Sequence, residues 1–273
     1  MRKFYLLNDK GEKFAFDYSS KVLVSSIQGL GFTKTNTYFN YDNIYKKIDE
    51  EIPTQDIVFN LAFLEKYRGF KGFLSFLEGS KELLLYYTSD ETKYTYVEVE
   101  SLSKTEISAG TLTSELKLKR LSYWYKDVIS EVIINVAKTG KIYPFKYSYT
   151  YSKSSKGKME LTNNGYAKAP LKITIEGNVS NPEIIVNKGD EEVSRLKIYY
   201  ESTDCKITVD AFPTRQSITI EEKGSVIDAY EYQDFSKDNF IFLDHGTYTL
   251  TFVPNTQSNP KCSITMVEGY LGN

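Results

Sequence analysis

The chain has very few of the side chains that most often hold metals or activate nucleophiles. Its 273 residues include one histidine, two cysteines and one tryptophan. This scarcity excludes His/Cys-rich metal sites and leaves His245 as the one candidate base for Ser-His-Asp or Cys-His catalysis. His245 stands between Asp244 and Gly246, which favour a turn, and we interpret it as a turn residue. We expect no cofactor, no metal and no enzymatic activity, although composition alone does not exclude all-carboxylate chemistry.

The two cysteines, Cys205 and Cys262, are too few for a disulfide framework. Both lie in strand-like patterns, where a thiol packs as a small apolar group. We therefore expect both to be buried and unreactive.

The sequence also lacks a strong net charge and a long apolar run. Its 34 basic and 36 acidic residues give a formal charge of −2, so no net attraction draws it to nucleic acid or to an anionic membrane. The apolar runs are too short to span a bilayer, and the first residues lack the apolar stretch of a secretory signal. We expect synthesis in a reducing cytoplasm and no membrane partner.

Aromatic residues, in contrast, are abundant. With 23 Tyr, 16 Phe and one Trp, they form 15% of the chain. Such side chains suit pleated, half-buried surfaces, which predicts a mainly β protein. The length fits one large domain or two ordinary ones, and a core of this size forms without disulfides or metals.

The first half alternates between strand patterns and one helical pattern. Two apolar runs between Phe4 and Phe16 flank a turn-forming cluster and predict a β-hairpin. A strand is predicted over Val22 to Ile27, and the glycines of the following Gly29-Leu30-Gly31-Phe32 end it. Tyr67, Phe70, Leu74 and Leu77 recur at helical spacing and predict a helix packed on the sheet.

The segment from Lys34 to Thr54 has no clear periodicity and reads as a long loop that carries apolar groups. An aromatic-rich loop gains from burial against something, so we expect it to pack on a neighbouring subunit or partner. The candidate interface residues are Tyr38, Phe39, Tyr41, Ile44 and Tyr45.

The second half begins after the Tyr123-Trp124-Tyr125 cluster, and we place the domains at residues 1–127 and 128–273. Short strands at regular spacing in the second half predict a β-sandwich.

Three further groups have both a functional and a structural interpretation. Asp49-Glu50-Glu51 and Asp190-Glu191-Glu192 could pair carboxylates for glycoside hydrolysis, but adjacency in a loop does not place two carboxyls across a cleft. A stripe of tyrosines on one face of an alternating strand suits either sheet packing or a contact with glycan or protein. The stripe includes Tyr143 and the candidate contact residues Tyr147, Tyr149 and Tyr151.

The order of several short motifs resembles that of the distal tail proteins of siphoviruses, the siphovirus-type tail component family. In the first half the motifs are Gly29-Leu30-Gly31-Phe32, the helix Tyr67 to Leu77, Leu83-Leu84-Leu85-Tyr86-Tyr87, Leu102-Ser103-Lys104-Thr105-Glu106 and Trp124-Tyr125. In the second half they are residues Ala169 to Gly177, Asn181-Pro182-Glu183-Ile184 and Glu268-Gly269-Tyr270-Leu271.

This resemblance implies an N-terminal domain related to tail-tube proteins, with one helix packed on its sheet, followed by a C-terminal galectin-like β-sandwich. It implies a structural hub at the virion tail tip, made in the cytoplasm of the bacterial host. The N-terminal domains would form a ring, usually a homohexamer, between the tail tube protein and the tail-associated fibre or lysin protein. The genome would pass through the lumen without specific binding. The sandwich would hold receptor-binding proteins or contact cell-surface glycan.

Two alternatives remain open from the sequence. The same component occurs in resident prophages and in phage-tail-like bacteriocins. A free carbohydrate-binding module or accessory adhesin would also use a β-sandwich.

Overall fold

The computed structural model describes residues 2–132, 134–135, 156–256, 258 and 260–273. The chain divides into two compact units. The first contains residues up to Lys126 together with Tyr270–Asn273, and the second contains Asp127–Gly269. Both units are built mainly from β-strands, so the predicted fold class is confirmed.

The first unit is an antiparallel sheet with a separate hairpin and one helix. Its elements are β1 (Lys3–Asn8), β2 (Lys13–Ala15), β3 (Val22–Gln28), β4 (Thr35–Tyr41), β5 (Ile44–Glu51), β6 (Gln55–Phe63), α1 (Tyr67–Glu78), β7 (Leu83–Thr88), β8 (Thr92–Leu102) and β9 (Leu112–Arg120). The strands of the sheet pair in the order β2-β1-β7-β8-β9-β6-β3. β4 and β5 pair only with each other among the described residues.

The core of the first unit is dominated by phenylalanine. Phe59 and Phe63 on β6 and Phe73 on α1 are completely buried. The ring of Phe73 lies 4.7 Å from that of Phe14 and 6.1 Å from that of Phe63. These contacts join the helix to the sheet, because offset and tilted aromatic pairs add to the gain from burial.

The helix is present where the apolar spacing predicts it, but its buried face differs. Phe70 and Phe73 are buried, whereas Tyr67 and Leu74 are more than one-third exposed. The buried face of the helix is therefore rotated from the predicted stripe toward Phe73. The ring of Phe73 packs in an aromatic pocket formed by Phe14, Phe16 and Phe63.

The glycine break after β3 depends on Gly29. Its φ is +85°, and a Cβ atom there would lie 1.9 Å from the carbonyl oxygen of Asp56. Gly31 has neither a positive φ nor an atom within 4 Å of a Cβ, so only the first of the two glycines is required by the backbone.

The second unit consists of two antiparallel sheets that share one apolar core. Its elements are most of β10 (Trp124–Val132), β11 (Ile134–Asn135), β12 (Lys156–Asn163), β13 (Ala169–Ser180), β14 (Glu183–Lys188), β15 (Glu191–Lys197), β16 (Glu201–Asp210), β17 (Ser217–Glu222), β18 (Ser225–Asp228), a 3-10 turn at Tyr230–Tyr232, β19 (Phe242–Leu243), β20 (Gly246–Val253) and β21 (Lys261–Tyr270). One sheet contains β18-β17-β16-β13-β21 and the other β11-β12-β20-β14-β15. Alternating residues such as Ile173, Ile207 and Leu250 point into the core between the sheets.

Candidate assembly surface

The segment predicted as a long loop is a β-hairpin. β4 and β5 pair from Thr35 opposite Glu51 to Tyr41 opposite Ile44. Asp42 and Asn43 form the two-residue turn, with φ angles of +49° and +63°. Positive φ at both turn positions is the geometry that suits the twist of a two-residue hairpin. The loop prediction was wrong because the sequence alternates weakly, and Asp-Asn was not recognised as the turn.

The five candidate interface residues all lie on this hairpin and all are exposed. Their exposed fractions are 54% for Tyr38, 55% for Phe39, 73% for Tyr41, and 70% each for Ile44 and Tyr45. Ile48, which sequence reasoning missed, is also 62% exposed. It occupies the irregularity of the pairing, where Tyr38 opposes Lys47 and the preceding Thr37 opposes Asp49.

Both faces of the hairpin carry apolar side chains. Tyr41 and Ile44 are cross-strand partners, so they share a face with Phe39, two residues away. Tyr38 and Tyr45 lie on the other face. These side chains stay exposed in the monomer, which therefore does not gain the free energy of their burial. Full burial of a large apolar side chain is worth about 1.5–3 kcal/mol.

The base of the hairpin is fixed by charge pairs. The Nζ of Lys34 lies 2.5 Å from one carboxylate oxygen of Glu50, and the Nζ of Lys47 lies 2.6 Å from the other. The backbone N–H of Glu50 also donates to Asp49 at 2.9 Å. Glu50 therefore joins Lys34, which precedes β4, to Lys47 in the middle of β5. The acidic cluster Asp49-Glu50-Glu51 lies at the end of strand β5 and not in a loop.

The second acidic cluster also belongs to ion pairs and a strand. Glu191 and Glu192 begin β15, and Glu192 accepts hydrogen bonds from Arg195 at 2.9 and 2.7 Å. These hydrogen bonds lower the pKa of Glu192. This carboxylate is thus held charged by a neighbouring guanidinium.

The cysteines and the histidine have structural surroundings. Cys205 and Cys262 are both buried and unpaired, and burial raises the pKa of the Cys262 thiol to about 12. Burial is also the main cause that raises the pKa of Cys205. Neither thiol is a ready thiolate. His245 lies just after β19, with Nδ1 3.2 Å from the carbonyl oxygen of Gly165.

The candidate contact residues Tyr147, Tyr149 and Tyr151, with Tyr143, lie outside the described residues. Within the described ranges, no group of three or more His, Cys, Asp or Glu side chains is arranged to hold a metal ion. No helix in the same ranges is long and apolar enough to cross a membrane.

Comparison with known proteins gives a consistent result for both fold and family. The phage P2 baseplate, solved in its activated conformation with calcium, contains a chain that matches with a TM-score of 0.69, 14% identity and full coverage of both chains. The strontium form of that baseplate matches equally. The SPP1 Dit protein, described as a hub of the adsorption apparatus of phages that infect Gram-positive bacteria, matches with a TM-score of 0.63 and 13% identity over 96% of this chain and 98% of its own. No curated protein sequence matches.

The family model of the distal tail protein N-terminal domain matches residues 3–121. This range covers the sheet, the helix and the exposed hairpin of the first unit. The resemblance to a siphovirus-type distal tail protein is confirmed: the model of the distal tail protein N-terminal domain matches residues 3–121, and the chain shares its fold with the phage P2 baseplate chain and with SPP1 Dit.

Proposed function

We propose that this protein is a structural hub of a phage tail tip, in which copies of the first unit close into a ring. The hub would join the tail tube protein to the tail-associated fibre or lysin protein. The family of residues 3–121 and the shared fold with baseplate and hub proteins support this role. The protein acts through assembly, so its work involves no chemical step.

The observation that carries the proposal is the apolar hairpin of β4 and β5. Large exposed apolar patches mark interaction sites, and this one is rimmed by charged residues such as Lys46 and Asp49. A ring needs a heterologous contact, in which one surface of each subunit meets a different surface of the next. The hairpin supplies the first surface, because it presents apolar groups on both of its faces.

The resemblance favours a homohexamer around a lumen wide enough for the genome. A formal charge of −2 suits passage of DNA without specific binding. The second unit is then the domain that holds receptor-binding proteins or other baseplate components. We assign the ring to residues 1–127 and the outward sandwich, galectin-like in type, to residues 128–273.

The test is to remove the apolar character of the hairpin without removing the hairpin. Tyr41→Ser with Ile44→Ser changes two exposed cross-strand partners and leaves the turn intact. We expect the wild type to form rings and this variant to remain monomeric, as measured by size exclusion with light scattering. Both should unfold at similar temperatures, since neither side chain is buried in the monomer.

The control variant carries Val226→Ser with Phe235→Ser, which are similarly exposed in the second unit. It should form rings like the wild type. If the hairpin variant forms rings at the same protein concentration as the wild type, the hairpin is not part of the ring interface.

A further inference from the structure

A buried arginine occupies an apolar position at the end of β9. Leu116, Leu118 and Arg120 share one face of this strand, and all three are buried. Arg120 is only 3% exposed, which is unusual for a side chain that stays charged at any physiological pH. Such a charge calls for a counter-charge.

The described chain provides hydrogen-bond acceptors for this guanidinium but no carboxylate. Nη1 donates to the carbonyl oxygen of Gly31 at 2.8 Å and to that of Leu271 at 3.2 Å. Carbonyl oxygens accept hydrogen bonds without neutralising the charge. Burial, the one cause of its shift, lowers the pKa of Arg120, as expected for a cation without a nearby anion.

Two side-chain amides near Arg120 have no hydrogen-bond acceptor. Gln55 is the cross-strand partner of Arg120, and its Nε2 is buried without a hydrogen-bond partner. The Nδ2 of Asn273 is likewise buried and unpartnered, while the backbone N–H of Asn273 donates to Leu30, next to Gly31. Unsatisfied buried donors are rare in native proteins, so these two amides near a guanidinium without a counter-charge indicate a missing acceptor.

An open pocket at this place gives that acceptor room to enter. The pocket has a volume of about 240 Å³ and is lined by Ile52, Pro53, Thr54, Arg120, Leu121, Ser122, Tyr123 and Tyr125. Its first lining residue follows directly on β5, so the pocket adjoins the base of the proposed interface hairpin. Arg120 is the cationic side chain of this lining, and a carboxylate is the group that fits a guanidinium.

We propose that Arg120 binds a carboxylate side chain of a second copy of this chain, so that the pocket is the receiving surface of the ring contact. The inference rests on the proposed function. A second copy is the occupant that the surroundings favour, because the pocket is continuous with the hairpin. The same hairpin also carries the exposed carboxylates Asp42, Asp49 and Glu51.

The experiment compares Arg120→Gln and Arg120→Met with Arg195→Gln. Arg195 is a matched control, since its change removes the same charge and breaks ion pairs with Glu183 and Glu192 in the second unit. Two quantities are measured for each: the concentration at which rings dissociate, from light scattering over a dilution series, and the thermal unfolding midpoint of the monomer.

Both Arg120 variants should raise the dissociation concentration at least about tenfold, because the incoming carboxylate is left unpaired. Their monomer midpoints should equal or exceed that of the wild type, because an unneutralised buried charge is gone. Arg195→Gln should leave the dissociation concentration unchanged.

Rings of wild-type affinity in the Arg120 variants would overturn the proposal. So would a fall in monomer midpoint that accounts for any weaker assembly, since Arg120 would then serve only to clamp Gly31 and Leu271. A wild type that forms no ring would instead refute the proposed function. The wild-type measurement alone shows this, so the two failures are distinguishable.

Discussion

At the scale of single residues, the backbone at Gly29 makes the sharpest demand on the sequence. A side chain there would meet the carbonyl oxygen of Asp56 at 1.9 Å, in a conformation that L-residues avoid. We expect Gly29→Ala to lower the free energy of unfolding by at least about 2 kcal/mol, measured by urea denaturation. Gly72→Ala on α1 meets no atom within 4 Å and should instead stabilise the protein, by about 1 kcal/mol. Equal effects of the two changes would contradict this reading of the glycine break.

At the same scale, the position of Arg120 on the buried face of β9 could be predicted from the sequence, but its contacts could not. Residues alternate along β9, so Lys117 and Lys119 share its more exposed face, and Arg120 shares the buried face with Leu116 and Leu118. A charged residue in an apolar register was therefore a readable signal. Its contacts with Gly31 and Leu271 were not readable, because they join segments 89 and 151 positions away.

At the scale of elements, α1 and the hairpin differ in how far local pattern determined them. The helix was predicted from its spacing, but its rotation depended on which side chains the aromatic pocket accepts. Phe73→Ala should cost about 3–5 kcal/mol of unfolding free energy, as expected for a buried phenylalanine. Leu74→Ala, at a position 37% exposed, should cost less than about 1 kcal/mol. Chemical denaturation measures both losses. A larger loss for Leu74→Ala than for Phe73→Ala would show that the face predicted from the spacing is the buried one.

The hairpin was the element that pattern analysis described incorrectly, although its candidate residues were identified. Strand prediction relies on one apolar and one polar face, and β4 and β5 carry apolar groups on both. A sheet that faces solvent on both sides in the monomer has no core to impose alternation. Failure of the usual pattern here is consistent with a surface selected for contact with another copy.

At the scale of the whole molecule, the mainly β class, the helix and strands outside the β4–β5 hairpin could be predicted from apolar spacing and aromatic content. The family came from the order of short motifs, and the match over residues 3–121 confirms it. The proposed ring closure would involve several copies, so no single-chain pattern determines it. The hairpin and the Arg120 pocket are the two unlike surfaces that we propose for the heterologous contact of such a ring.

The most direct test of the account is negative-stain electron microscopy of the purified protein, alone and mixed with its tail tube and fibre proteins. We expect closed rings with a central lumen from the wild type and no rings from the Tyr41→Ser, Ile44→Ser variant. Fields that contain only single particles of the wild type, even with both neighbouring components present, would contradict it.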